Sequence, residues 1–249
     1  VFFNQTQTMQ KPPIGEQPGK KEAVEAMFDS IAPKYDLLNR VLSLGIDKTW
    51  RTKAVNWLKE DAPARILDVA TGTADVALET LRLEPQKVVG VDLSEEMLRF
   101  GREKVEARGE SHRVTLQQAD AAQLPFEDGY FDSALVSFGV RNFENLHAGL
   151  SEIARVLRPG GSLVVLEFSR PRTPGIKQGY MWYSRHILPR IGSLVSRNTT
   201  AYEYLPASVQ AFPDGEDFLS RMHAAGYDRT QARPVTFGIA TIYKGYTKR

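Results

Sequence analysis

Cysteine is absent from this chain. That excludes disulfide staples, thiolate metal sites and a cysteine nucleophile. Histidine is scarce, four in all, and His112, His147, His186 and His223 are scattered. No pair has metal-ligand spacing and there is no H-E-x-x-H, so no metal is expected. The net charge of +2 is too small to argue for a nucleic-acid partner. Apolar runs such as Leu163 to Leu166 fall far short of the roughly 18 residues that span a bilayer. A phosphate-binding turn would need G-x-G-x-x-G or G-x-x-x-x-G-K-S/T, and neither is present, so a pyrophosphate is a poor candidate ligand.

What is present is ordinary for a globular domain: 249 residues, 42% hydrophobic and 25% charged, enough to bury a full core. Residues 1–20, rich in Gln, Thr, Pro and Gly, read as a disordered tail, and residues 21–249 as a single domain. Helical spacing begins at Glu22. Val24, Met27, Phe28 and Ile31 share one face, Pro33 breaks it, and Leu37, Leu38, Val41 and Leu42 form a second helix. With a third helix over Thr49 to Leu58, residues 21–60 are helical throughout. The rhythm then turns to strand, helix, strand. Strands are expected at 64–69, 87–91, 113–118, 131–138 and 162–168, with helices between, Ser94 capping one of them. Such alternation means a mostly parallel sheet covered on both faces. A last helix spans 214–226. Val235, Phe237 and Ile239 alternate, and a run from Thr241 to Tyr246 follows, so a hairpin-like pair completes the sheet.

The most informative turn is Asp68-Val69-Ala70-Thr71-Gly72-Thr73-Ala74-Asp75. An apolar strand ends in an acid and enters a helix through small residues, which let a ligand approach the backbone. It sits at the carboxyl end of a strand, where open α/β sheets bind ligands. Asp92 closes the second strand and can accept both hydroxyls of a ribose, which fits NAD or S-adenosylmethionine equally. Asp120, after the third strand, can accept from an adenine amino group. Ser137, at the end of the fourth, can floor a methionine moiety.

Four ligand-facing positions at successive strand ends resemble the class I S-adenosylmethionine methyltransferases, a Rossmann-like α/β fold with a seven-stranded sheet. Here Ala70 and Ala74 stand where that class has glycine, so the turn must leave more room or hold φ < 0 there. A closer resemblance covers residue 22 to the C-terminus. The segments Met27 to Asn39, Ser137-Phe138-Gly139-Val140-Arg141-Asn142, Glu167-Phe168-Ser169, Leu188 to Ser193, Tyr202 to Leu205 and Phe212-Pro213 are similar to those of the menaquinone and ubiquinone biosynthesis C-methyltransferases. The Ala-Thr-Gly-Thr-Ala-Asp loop is more similar to that of the demethylmenaquinone enzymes. The resemblance implies S-adenosyl-L-methionine as methyl donor, contacted by Thr73, Asp92, Asp120, Ala121 and Ser137 beside the loop residues Asp68 and Gly72. It also implies a polyprenyl hydroquinone as acceptor.

Methylating such a ring at carbon requires alignment with the sulfonium methyl and negative charge on the ring. Arg141 is expected to stabilise the ring oxyanion, directly or through water, with Asn142 orienting it. Tyr35 and Asp36 would close over the cofactor. The plainer alternatives are a capping pair with a surface arginine, and a core tyrosine beside a helix cap. His186 is the second candidate for a base. Residues 170–212 read as a helical lid. Ile176, Tyr180, Tyr183, Ile187, Ile191 and Leu194 make one stripe, and residues 170–205 hold six Lys or Arg against one acid, Glu203. A packed helix with a basic outer face accounts for such a stripe. So does a lid touching an anionic membrane surface, which suits a cytoplasmic, peripherally membrane-associated protein, with a homodimer as one option for its assembly. Rival readings are a ubiquinone-pathway benzoquinol as acceptor, a non-catalytic S-adenosylmethionine-binding subunit, and an NAD dehydrogenase. The missing G-x-G-x-x-G disfavours the last.

Overall fold

The computed structural model describes residues 12–43, 45–172, 174–175, 178–179 and 199–248. Three helices come first: α1 (Lys20–Ile31), α2 (Tyr35–Leu42) and α3 (Ile46–Asn56). α1 buries Val24, Met27 and Ile31, the three-and-four spacing of one helical face. A 3-10 turn with Pro33 at its start joins α1 to α2.

Seven strands follow: β1 (Arg65–Val69), β2 (Lys87–Asp92), β3 (Val114–Gln118), β4 (Phe131–Ser137), β5 (Leu157–Phe168), β6 (Tyr227–Val235) and β7 (Ala240–Thr247). They form one sheet in the order β3-β2-β1-β4-β5-β7-β6. Strands β1 to β5 pair in parallel, and β7 pairs antiparallel with both neighbours. Between them run α4 (Asp75–Thr80), α5 (Glu95–Ala107) and α6 (Leu146–Val156). Then come α7 (Thr199–Ala211) and α8 (Glu216–Ala224). Ser94 caps α5 as expected, its hydroxyl accepting from the Met97 N–H.

Side-chain alternation splits the core between the two faces of the sheet. Leu67, Val69, Val89, Val91, Val136 and Val165 pack against Leu150 and Ile153 of α6 and Phe218 and Met222 of α8. On the opposite face Leu135, Val164 and Leu166 meet Trp50 and Val55 of α3. There too Val88 and Val114 meet Leu78 of α4 and Val105 of α5.

One expectation is corrected. The alternation of Val235, Phe237 and Ile239 is not a strand: β6 ends at Val235 and residues 236–238 form a tight turn. Thr236 and Phe237 are left-handed there, with φ of 45° and 59°, and Phe237 is 72% exposed. β6 is an edge strand whose polar residues face water, so it lacks the apolar alternation that marks a covered strand. Pro234 is tolerated at that edge. The stripe from Ile176 to Leu194, and His186 within it, lie outside the described residues.

Candidate active site

The strand order reverses between β1 and β4. That switch point opens a crevice beyond the carboxyl ends of the strands. A cavity of about 1030 Å³, its open mouth included, lies there, lined by Gly72, Asp92, Asp120, Ala121, Ser137 and Asn142 among others.

The turn after β1 is wound left-handed. Ala70, Gly72 and Ala74 have φ of 55°, 56° and 64°, so the two alanines do not escape to negative φ. Each left-handed alanine costs of order 1–3 kcal/mol. Room for their methyl groups comes from glycines elsewhere. A Cβ on Gly139 would lie 2.4 Å from the Ala70 Cβ, and one on Gly101 would lie 3.3 Å from the Ala74 Cβ. The Tyr35 ring lies over Gly72, its Cε1 3.6 Å from where a Cβ would stand. Tyr35 thus roofs the loop, and it lines the cavity.

Asp92 is held by the loop it serves. Its Oδ2 accepts the Gly72 N–H at 2.8 Å and its Oδ1 the Ser94 N–H at 3.0 Å. Each oxygen keeps a lone pair for a ribose hydroxyl. Burial pushes this carboxyl up, and the Ser94, Gly72 and Leu93 N–H groups counter that. Asp120 lies across the cavity, bonded to the Ala122 N–H and to the Lys21 ammonium at 2.7 Å. Thr73 turns elsewhere: its hydroxyl donates to Asp36 and accepts from Lys104, which also pairs with Asp36 and Asp75. It borders side recesses rather than the main cavity.

Two residues that the sequence did not single out shape this region. Arg51 of α3 is buried and donates from Nη1 to Asp75 at 2.6 Å. Lys20, also buried, donates to the carbonyls of Arg141 at 2.8 Å and Phe143 at 3.0 Å. Burial lowers the Lys20 ammonium to about 8, helped by the nearby Arg141 charge. Four residues earlier, the Glu16 carboxylate accepts the Leu146 N–H. The described part of the segment read as a tail is therefore anchored on the rim of the cavity.

Arg141 and Asn142 sit on a 3-10 turn after β4. Arg141 is not a surface arginine. Its Nη1 donates to Glu167 at 2.8 Å and to the Phe138 carbonyl, and its guanidinium lies 5.6 Å from the Phe168 ring centre. Glu167, at the end of β5, is fully buried. Its carboxyl is pushed up by burial, with Arg141 as the largest opposing influence. Arg141 is thus oriented by Glu167 and not by Asn142, whose Oδ1 accepts from the Tyr204 hydroxyl at 3.2 Å. Asn142 lines the cavity; Arg141 is set beside Phe138, which does. Phe138 and Phe168 pack with centroids 4.6 Å apart, and Trp50 closes the aromatic group.

An S-adenosylmethionine molecule needs ribose acceptors, an apolar berth for its base, and polar groups for its amino-acid end. Asp92 supplies the first, and Ala119, Ala121 and Phe143 line the second. For the third, buried polar atoms without partners among the described residues stand ready: Asp68 Oδ1, Ser137 Oγ and Arg51 Nε. The residues present fit the group.

Residues 16–247 match the ubiE/COQ5 methyltransferase family. The chain is 48% identical over 225 residues to the demethylmenaquinone methyltransferase of Bacteroides fragilis, covering 90% of this chain and 92% of that one. It is also 48% identical to the ubiquinone/menaquinone biosynthesis C-methyltransferase UbiE of Geobacter sulfurreducens, covering 91% and 89%. Among solved structures it resembles a SAM-dependent methyltransferase from Thermotoga maritima, with a TM-score of 0.62 at 18% identity over 90% of this chain and 99% of that one. That likeness concerns the fold alone.

Proposed function

The chain belongs to the ubiE/COQ5 methyltransferase family, and from that premise we propose that it methylates a ring carbon of demethylmenaquinol to give menaquinol. The observation that carries this reading is one cavity lined by the Asp92 carboxylate and by Phe138, whose carbonyl holds Arg141, itself paired with the buried Glu167. S-adenosylmethionine supplies an electrophilic methyl group when bound. The chain's own residues do the rest. Asp92, braced by the Gly72 and Ser94 N–H groups, fixes the ribose. Tyr35 roofs the loop. Phe138, backed by Phe168, gives the acceptor ring an apolar wall and keeps water from it.

Arg141 keeps one N–H, on Nε, buried and without a partner among the described residues. This reading assigns it to the ring oxygen, directly or through water, where its charge favours the phenolate. Both Glu167 oxygens are occupied, by Arg141 and by the Phe168 N–H. Glu167 therefore holds Arg141 in this reading. Asp120, Ala121, Ser137 and the backbone at Thr73 complete the donor contacts in this reading.

A second reading is a ubiquinone-pathway benzoquinol, favoured by the Geobacter relative at the same identity. Purified protein given S-adenosylmethionine and either short-chain quinol decides between them by product mass. Methylated naphthoquinol supports the proposal; methylated benzoquinol alone, or neither product, overturns it. A prenyl-tailed acceptor also suits peripheral contact with a membrane surface. Among the described residues no helix is long and apolar enough to cross one. The exposed Phe237 turn, tied to Trp50 through the Thr236 hydroxyl, is a suitable contact. Phe237→Ser should weaken flotation with anionic vesicles.

A further inference from the structure

Lys20 breaks three rules of charge placement at once. It is 2% exposed, and burying an ammonium is costly. It is the first residue of α1, and a cation at a helix N-terminus opposes the helix dipole. It also lies near a second cation, Arg141, whose charge works against it. Positions that break local rules are expected where function requires them. The described bonds of Lys20 go to two carbonyls, those of Arg141 at 2.8 Å and Phe143 at 3.0 Å. These carbonyls flank Asn142, at the end of the 3-10 turn Val140–Asn142. Other elements hold the same turn. Glu167 of β5 accepts the Arg141 backbone N–H at 3.3 Å and its Nη1 at 2.8 Å. The Tyr204 hydroxyl of α7 donates to Asn142 Oδ1 at 3.2 Å.

We propose that Lys20 is a positioning residue for methyl transfer: its ammonium pins the peptides on both sides of Asn142 and so fixes Arg141 and Asn142 against the acceptor ring. The proposal rests on the reading of Arg141 given above. Lys20 itself does not line the cavity, although its neighbour Lys21 does. It therefore acts through the turn and not on a ligand. A misplacement of about 1 Å can cost about a hundredfold in rate, so a turn carrying the reacting groups needs firm anchors. An apolar side chain would fill the same space without burying a charge, so stability alone does not account for the lysine. The grip depends on charge, because an ionised donor makes the stronger hydrogen bond. Burial, aided by the Arg141 charge, lowers the ammonium to about 8. Glu144, beyond the turn, and Glu16, ahead of α1, pull it the other way. The grip is therefore full below that pH and weakens as pH rises through it.

Lys20→Met keeps the stem and removes the grip. The measurement is kcat of the whole chain on the short-chain quinol it methylates, counted per site that binds S-adenosylhomocysteine in calorimetry. The variant's kcat should fall by about tenfold or more, while acceptor KM and S-adenosylhomocysteine affinity stay within about threefold of wild type. The ratio of wild-type to variant kcat should shrink as pH rises through about 8; the acceptor's own ionisation cancels in that ratio. If Lys20→Met does not fold, Lys20→Gln carries the test. It keeps donors without the charge, and its kcat should fall by about threefold or more with the same shrinking ratio. A kcat per binding site within about twofold of wild type, with only the melting temperature lowered, would make Lys20 a structural residue and overturn the proposal. So would a ratio that is flat with pH, or a loss confined to donor affinity. A wild type that methylates neither quinol refutes the proposed function itself, and this proposal with it.

Discussion

Asp92→Asn perturbs the donor site with the least change of shape. Asp92 gives one oxygen to the Gly72 N–H at 2.8 Å and the other to the Ser94 N–H at 3.0 Å. Asparagine has one acceptor oxygen, so one of those N–H groups would face an amide donor. Asp92 is half-buried, so the folding cost should fall in the lower half of the ~1–3 kcal/mol for an unsatisfied polar group. Binding should lose more. Two charged acceptors for the ribose become at best one neutral acceptor. A bond to a charged group is worth ~1.5–3 kcal/mol against ~0.5–1.5 for a neutral one, so the loss comes to about 2.5–4.5 kcal/mol. That weakens S-adenosylhomocysteine by roughly 70- to 2,000-fold. Titration calorimetry reads it, with a melting curve to show that the fold survives. The carboxylate is the binding form and burial raises its pKa, so wild-type affinity should fall as pH drops, and the variant should lack that limb. A dissociation constant within about threefold of wild type would show that the end of β2 does not hold the cofactor.

Other expectations follow from the same contacts. Gly139→Ala drives a Cβ to 2.4 Å from that of Ala70 and should cost about 1–3 kcal/mol; adding Ala70→Gly should recover most of it in chemical denaturation. Burial raises Asp68 to about 7 from its ordinary 3.8. The folded protein therefore binds a proton that the unfolded chain releases, so this contribution to stability is full below 3.8 and is lost as pH rises through about 7. Asp68→Asn should flatten that part of the ligand-free melting profile, and a steeper profile would refute the assignment. Glu167→Gln leaves the buried Arg141 charge without its counter-ion and should destabilise the fold by up to ~3–5 kcal/mol. It should also lower kcat more than it raises KM, with S-adenosylhomocysteine affinity nearly unchanged.

The covered strands β1, β2, β4 and β5 are legible because each carries an apolar run between turns, while β3, at the edge opposite β6 and with only Val114 buried, is marked by its place in the strand–helix alternation. β6 is not legible, because an edge strand keeps polar residues on its open side and its signal fades into the loop. Phe237 then reads as a strand residue while it sits exposed in a left-handed turn. In the site, Asp92 can be found from sequence, since an acid closing a strand has a fixed address in this fold. Arg51, Lys20 and the role of Glu167 cannot. Their partners lie 24, 121 and 26 positions away, at Asp75, Arg141 and again Arg141. Only the closed fold brings them together. The alanines at 70 and 74 announce a departure from the glycine pattern, but the glycines that accommodate them, 139 and 101, are far along the chain.

The claim that the cavity transfers a methyl group to carbon is tested most directly by the fate of an isotope-labelled methyl. Single turnover with labelled S-adenosylmethionine and a short-chain demethylmenaquinol, followed by magnetic resonance of the product, locates the new bond. The account predicts the label on a ring carbon, with turnover lost in Arg141→Ala while S-adenosylhomocysteine still binds. A label on oxygen, or no transfer from a protein that binds both ligands, would contradict it.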